Sequence, residues 1–498
     1  MIDAGIATAV AALQQRLRAV APYLDAGVDA SMQHGPLLAA LADSVRRNPL
    51  RDRIWLLATA VAGGYPTAEE VVDVARGLDS ASAATAMAAV LAGVARTASA
   101  SRDEALDAIV LDGGVLADVD FCATHIHNTG IQRVVRNTMR HWAADRAVEF
   151  VAWSPDRTGY RMLTPMQREL VVAWTSSTPQ STDSAVPVLV IPWRGTVVLP
   201  EVPSADLLGR QAAIGRFSGN RLAVVGYDAI PIVSADSVDN AESDRFAHYL
   251  EVVKYADLVA CISETTAAEF DGFGSALPAQ GLGGPRVRTV PLPVDVASAD
   301  TARPPSARER PLVLMVGSVE HRKNQQGVVS AAQLLWADGL DFELLVIGGG
   351  NSWYLAQFDA EVRRLQRAGR HIAVGRRVPD DVLAQAYADA TVVVFPSLQE
   401  GYGLPVAEAL ATGTPVVTTR YGSTAEIARG GGCLLVDPRD DDDIAAKLRQ
   451  VLTDDVVRHR LIAEAAARTN ATWADYAAAL WNEITSADAS GSPSAVTA

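Results

Sequence analysis

The strongest constraint on this chain is residues 392–417, VVVFPSLQEGYGLPVAEALATGTPVV. Three valines and a phenylalanine read as a short buried strand. A loop with two glycines follows, then a helix with Pro405 in its first turn, then a Gly-Thr-Pro turn into further valines. Such a unit belongs to a parallel sheet with helices on its faces, because parallel strands need a crossover. At the loop–helix junction, Gly401, Tyr402, Gly403 and Leu404 bring free N–H groups and the helix dipole to bear on a diphosphate. The glycines let backbone approach a ligand closely. Glu408, one turn into the helix, has the reach to accept hydrogen bonds from two ribose hydroxyls. Glu400 stands at the loop mouth, where a sugar would lie. Both glutamates would also complement a helix N-terminus, so taken alone the pair leaves two readings open.

The same alternation of strand and helix extends on both sides. Residues 311–317 form a strand running into a glycine turn, and further strands are expected at 342–347, 372–374, 392–395 and 415–418. Upstream, strands at 108–112, 148–153, 186–191 and 222–227 alternate with helical stretches. Residues 292–310, rich in Pro, Ala and charge, read as an interdomain linker. Residues 1–104 carry helical spacing, as in Ala12, Leu13, Leu17 and Val20, and a helix start at Pro66-Thr67-Ala68-Glu69-Glu70. The expected architecture is therefore an all-α region over 1–104, an α/β unit over 105–295 and a second over 311–470. A helix over 471–485 and a disordered tail over 486–498 complete it. The helical region is read as a packing or oligomerisation module.

Other residues add to the site. Gly317-Ser-Val-Glu-His-Arg-Lys-Asn324 follows the first strand of the second unit, at the end where such sheets bind ligands. Arg322 offers a planar fork and Lys323 a point charge to a diphosphate. Adjacent basic residues are commonly a solvated pair, but this chain has only three lysines, Lys254, Lys323 and Lys447. In the first unit, Gly130 follows His125-Ile-His-Asn-Thr and begins a helix bearing Arg133 and Arg136, each read as facing either the cleft or the helix surface. His125 and His127 have no carboxylate or cysteine cluster beside them, so no metal site is expected. Asp228 ends a strand and either contacts an acceptor or caps a turn. Cys261 reads as core, and the acids Asp440–Asp443 read as a helix cap.

These motifs resemble the retaining glycosyltransferases of the GT-B fold, in particular family four, whose Glu-x7-Glu signature corresponds to Glu400 and Glu408. The resemblance covers residues 311–450 most closely and implies two Rossmann-like domains facing across a cleft. It implies that Glu408 holds the ribose, that Glu400 contacts the transferred sugar, and that Arg322 and Lys323 hold the pyrophosphate. Gly317, Ser318, Gly130 and Val378 are implied to line the nucleotide site, with Asp228 on the acceptor side. The chain departs from the family at Ser318, where many members carry Arg, and at Tyr227, which replaces a His. The segment Val374-Gly-Arg-Arg-Val378 shifts a glycine near the base-binding strand. The late helix from Trp473 is implied to cross back onto the first domain.

The implied reaction is retaining, metal-independent transfer of a hexose, mannose or rhamnose favoured. The donor is a GDP- or dTDP-sugar, and the acceptor a glycan, glycolipid or glycoside. No obligatory cofactor is implied. Rival readings are a sugar-nucleotide epimerase on the same fold and a non-catalytic scaffold. A pyridoxal-dependent phosphorylase is disfavoured, since Lys323 is already assigned and Lys447 lies in a peripheral helix. The net charge of −15 argues against nucleic-acid partners. Three scattered cysteines and an acidic residue near the start, where a signal peptide carries a base, lead to the expectation of a cytoplasmic protein. Peripheral membrane contact and homo-oligomerisation through residues 1–104 stay open.

Overall fold

The computed structural model describes residues 2–101, 107–126, 128, 130–174, 188–293, 308–350, 352–469 and 471–486. Most of the expected linker, and the tail beyond Ser486, lie outside these residues. The chain adopts the expected fold class: two α/β units, each with a largely parallel sheet, preceded by helices.

The second sheet has six strands: β10 (Leu312–Val316), β11 (Glu343–Ile347), β12 (Ile372–Gly375), β13 (Val392–Phe395), β14 (Val416–Thr419) and β15 (Cys433–Val436). Their spatial order is β12-β11-β10-β13-β14-β15, and every pairing is parallel. Successive strands step outward from β10 in one direction and then, from β13, in the other. This is the doubly wound order, and the crevice between the ends of β10 and β13 is its switch point.

The first sheet has nine strands in the order β1-β5-β4-β3-β2-β6-β7-β8-β9. They are β1 (Asp107–Asp112), β2 (Val115–Asp118), β3 (Val148–Trp153), β4 (Tyr160–Met162), β5 (Val188–Trp193), β6 (Thr196–Leu199), β7 (Arg221–Gly226), β8 (Leu258–Cys261) and β9 (Arg286–Thr289). Only β4 runs antiparallel to its neighbours. No strand is read from the sequence at 286–289, yet β9 adds a parallel edge strand outside β8. Its pattern of arginines alternating with Val and Thr, half-buried at its start and exposed at its end, gives little of the apolar signal of a central strand.

The amino-terminal helices, from Ile2–Leu24 to Ala95–Ala100, share one apolar core with this sheet. Leu17, Leu41 and Leu57 pack in the same cluster as Ile191, Val197 and Val224. Tyr65 is the joint. Its ring lies 5.4 Å from Trp55, 5.7 Å from Trp153 and 5.3 Å from Tyr160, and its hydroxyl donates to the Val190 carbonyl. The helix start read from Thr67 is a capping box completed by Glu70. Glu70 also accepts from the Thr97 N–H (2.8 Å) and hydroxyl (2.6 Å), which ties the last helix to the fourth. The buried apolar faces of this region thus pack on one another and on the chain's own sheet. The helix Trp473–Thr485 crosses back onto the first unit, where Tyr476, Leu480 and Ile484 are buried and Trp142 Nε1 donates to the Ala477 carbonyl (2.9 Å). No helix among the described residues is long and apolar enough to cross a membrane.

Because the helices and first sheet share one core, Trp55→Ala is expected to cost about 3–5 kcal/mol. It should lower the unfolding midpoint of the sheet and the helices together. Urea unfolding followed at once by far-ultraviolet circular dichroism and tryptophan fluorescence checks this. Two separate transitions would mean that residues 1–104 fold independently.

Candidate functional site

The site starts from the two loops that leave β10 and β13. β10 ends at Gly317, whose carbonyl lies so close to Gly348 that a Cβ there would fall 1.9 Å from it. The ends of β10 and β11 therefore meet backbone to backbone. The chain then makes a short 3-10 turn, His321–Lys323, and Asn324 takes a left-handed conformation (φ 60°) to cap the helix Gln325–Ala337. Asn324 also donates to the Pro438 carbonyl (2.6 Å). This anchoring aims Arg322 and Lys323 at the loop after β13.

There they meet Glu400. Lys323 Nζ lies 2.6 and 2.8 Å from the two Glu400 oxygens, and an Arg322 nitrogen lies 3.1 Å from one of them. Arg322 also donates to the Gln399 carbonyl (2.8 Å) and to Glu320 (2.8 Å), and the Ser397 hydroxyl donates to Glu400. The three charged side chains are only 9–15 % exposed, which makes this a buried ion cluster rather than a surface pair. Burial pushes the Glu400 carboxyl up, but Lys323 and Arg322 more than offset it and hold the group below the usual carboxylate range. Asp228, across the cleft at the end of β7, goes the other way. Burial raises it, and the same two cations oppose this only in part. Two acids around one cation pair are thus driven apart in protonation. Asp228 also accepts from the Ile230 N–H (3.2 Å), so it caps a turn as well as facing the cluster. Ser318 does not join the charges. Its hydroxyl donates to Glu320 and its carbonyl accepts from Gln325.

Glu408 lies in the helix Leu404–Ala411 and is buried. One of its oxygens accepts from Arg133 of the first unit (2.7 Å), the other from the Tyr387 hydroxyl (2.8 Å). A carboxylate has about four acceptor positions, so this arrangement orients the group and still leaves capacity for hydroxyl donors. Arg133 therefore faces the cleft. Arg136 does neither of the two things read for it: it is buried, donating to the His125 carbonyl (2.6 Å) and to Asn128 (3.1 Å).

The glycines have different reasons. Gly403 takes a positive φ of 109° at the helix cap. The closest approach at Gly401 is to protein: a Cβ there would fall 2.2 Å from the Tyr227 carbonyl of the first unit, while Ser263 (2.7 Å) and Thr266 (3.1 Å) donate to the Gly401 carbonyl. Its lack of a side chain is required by this contact between the units, in place of the ligand approach read from the sequence. At Gly130 a Cβ would meet only Leu404, at an ordinary 3.5 Å. Val406 and Ala407 N–H groups return to the Gly403 carbonyl, so these two do not add to the anion-binding capacity of this junction. Tyr402 reaches back with its hydroxyl to the Leu292 carbonyl (2.6 Å), and Val378 packs against the apolar cluster of the second unit that holds Leu314 and Phe395.

Further ties across the cleft have no signal in the sequence. Glu426 accepts the first N–H groups of the helix Glu264–Gly274, from Glu264 (2.8 Å) and Thr265 (2.7 Å). Gln399 bridges Ser234 and Glu269. Cys261 is core, and Asp440 caps its helix. Among the described residues no group of three or more His, Cys, Asp or Glu side chains is placed to hold a metal ion. His127 lies outside them.

Residues 298–468 match the family model for group 1 glycosyl transferases. Relatives include the O-antigen chain mannosyltransferase B of Escherichia coli, 38 % identical over 142 residues, which are 28 % of this chain and 37 % of that protein. The serotype-specific mannosyltransferase WbdA of Escherichia coli is 25 % identical over 63 % of this chain and 38 % of its own length. The chain thus spans little more than a third of these two relatives. A D-inositol 3-phosphate glycosyltransferase of Acidothermus cellulolyticus is 30 % identical over 46 % of this chain and 54 % of its own. Among solved structures, OtsA without ligand superposes with a TM-score of 0.52 at 11 % identity, over 75 % of this chain and 99 % of that one. Anabaena HepE in complex with UDP and glucose gives 0.51 at 14 % identity, over the same shares. The shared fold is GT-B.

Replacing Glu400 by Gln leaves the buried Lys323 without its counter-charge and Arg322 with Glu320 alone, at an expected cost of about 3–5 kcal/mol. The sign of the pH effect follows from its lowered pKa. The stabilisation from Glu400 is complete above the ordinary carboxylate value, about 4.3, and is lost as pH falls through the lower folded value. Urea unfolding between pH 3 and 7 should show a shallower acid limb in Glu400→Gln than in the parent. Identical slopes would show that the cations do not hold this carboxylate ionised.

Proposed function

We propose that this chain is a retaining glycosyltransferase that moves a hexose, mannose favoured over rhamnose, from a nucleoside diphosphate sugar to a glycan, glycolipid or glycoside. The observation that carries the reading is the buried Arg322–Lys323–Glu400 cluster at the switch point of the second sheet, with Asp228 facing it from the first. The match of this unit to group 1 glycosyl transferases and the mannosyltransferases among the relatives support it.

In this reading the donor diphosphate lies at the Leu404 helix start, between Gly317, Ser318 and the Gly401–Gly403 loop. Glu408 takes the ribose hydroxyls, its carboxylate oriented by Arg133 and Tyr387. Val378 borders the base and Gly130 closes the phosphate side. Arg322 and Lys323 face the oxygen on which negative charge grows as the anomeric bond breaks, where preorganised charge is most effective. They supply the positive charge that a metal ion supplies elsewhere, so the transfer needs no metal. Glu400 holds Lys323 in place and reaches the sugar hydroxyls. The acceptor hydroxyl attacks from the face the diphosphate leaves. Its oxygen bonds to the anomeric carbon, the carbon–phosphate-oxygen bond breaks, and the departing phosphate takes the hydroxyl proton. Configuration is retained. Asp228 contacts the acceptor. The donor is a GDP- or dTDP-sugar, and the protein works in the cytoplasm, with any membrane contact peripheral.

A thermal-shift panel of GDP, UDP, dTDP and their sugars tests the donor site. A ligand at a hundredfold excess over its Kd adds about 2.7 kcal/mol of stability. Lys323→Ala is expected to lower kcat by roughly 10²–10³-fold, while Glu408→Gln acts mainly on donor affinity. An inverted anomeric product, or activity abolished by chelation, would overturn the mechanism. Unchanged nucleotide binding and turnover in both variants would overturn the site.

A further inference from the structure

The first sheet has a switch point of its own. β2 pairs with β3 on one side and β6 on the other, and the sheet continues outward from each. At the carboxyl ends of β2 and β6 lies a cavity of about 460 Å³, within the range of small-molecule sites. It opens at the same end of the sheet as Asp228, since β7 lies beside β6.

Gln211, in the cavity wall, is 1 % exposed. Its amide nitrogen donates to Asp118 (2.9 Å), which also collects the Trp153 Nε1 (2.8 Å) and the Tyr160 hydroxyl (2.9 Å). This fixes the orientation of the amide, because the flipped form would set its oxygen against the carboxylate. The Gln211 oxygen is left buried with no hydrogen-bond partner in the protein. Whatever completes it must bring a donor.

The acids of the wall ask for the same chemistry, beside His125, Thr124 and apolar side chains. Asp118, Asp120, Glu201 and Asp206 line it, and the one guanidinium, Arg157, is already bound to Asp120 (2.6 Å), Asp206 (2.8 Å) and Ser204 (2.7 Å). Burial, with a neighbouring acid in each case, raises Asp118 to about 6 and Glu201 to about 7. The wall therefore gains negative charge as pH rises through neutrality and carries no uncommitted guanidinium. A phosphate dianion offers only acceptors and negative charge to such a surface. A sugar hydroxyl offers a donor at no charge cost.

We propose that this cavity holds the acceptor as an uncharged, polyhydroxylated sugar unit, with one hydroxyl donating to the Gln211 oxygen, and that it rejects phosphorylated acceptors. This rests on the glycosyltransferase reading of the facing donor site.

The test uses the full chain, without donor. Saturable binding of methyl α-mannoside, methyl α-glucoside and α-linked mannobiose is measured by saturation-transfer NMR, against mannose 6-phosphate and glucose 6-phosphate. At least one neutral sugar should bind, each phosphorylated one about tenfold or more weakly. Gln211→Leu should weaken the neutral sugar about tenfold and leave the nucleotide thermal shift in place. Asp206→Asn, at an exposed position, removes one wall charge and one of the three partners of Arg157 and should narrow the discrimination against phosphate; it serves if Gln211→Leu does not fold. Equal or tighter binding of the phosphorylated sugars would overturn the proposal, as would neutral binding insensitive to Gln211→Leu. If no sugar binds while nucleotides still shift the melting temperature, the cavity is not the acceptor site and the donor reading stands. If no nucleotide shifts it, the donor reading itself has failed.

Discussion

The ion cluster of Glu400 with Lys323 and Arg322 is the constraint on which the rest depends. Burying one carboxylate and two cations is unfavourable unless they meet with good geometry. That geometry exists at one place in the second sheet, where β10 and β13 are neighbours and their loops leave side by side. The doubly wound order creates this place. The Gly317–Gly348 contact, the Asn324 cap and the Ser397 hydroxyl hold it to within hydrogen-bond distance. The cluster sets an ammonium and a guanidinium side by side, balanced by Glu400 and, on Arg322, by Glu320.

The same cluster reaches across the cleft. Its cations act on Asp228, and the loop that bears Glu400 is the loop through which the two units touch. Gly401 lies against the Tyr227 carbonyl, Gln399 joins Ser234 to Glu269, and Glu426 caps a helix of the first unit. The helix after this loop offers Glu408 to Arg133. One short stretch therefore combines the charged groups of the candidate site with the contact between units, so any change in how the units meet is felt at Glu400 and Glu408.

The amino-terminal helices support this from behind. By sharing a core with the first sheet through Tyr65 and Trp55, they stiffen β3, β4 and β5. Tyr160 and Trp153 of those strands in turn hold Asp118 at the cavity between β2 and β6. A region with no chemical motif of its own thus helps to set the wall of the second cavity.

The sequence by itself determined what depends on near neighbours. Strand β13, the cap at Thr67, the Asp440 cap, Pro405 at a helix start and the Arg-Lys pair all rest on spacings of a few residues, where propensity, capping and turn chemistry act. The fold class followed from their alternation. What only the tertiary structure decided depends on groups brought together from far along the chain. Arg133 lies 275 residues from Glu408, and nothing local to either announces the other. The glycine at 401 looked like room for a ligand and is room for Tyr227. Arg136, an ordinary helix arginine by its spacing, is buried because the carbonyls that receive it lie in other segments. Gln211 has no pattern at all around it, since its unmet oxygen is a fact about the cavity that the folded chain encloses. Local order is written in short-range sterics and hydrogen bonds, whereas burial, charge pairing and unsatisfied groups exist only once the sheets have closed on one another.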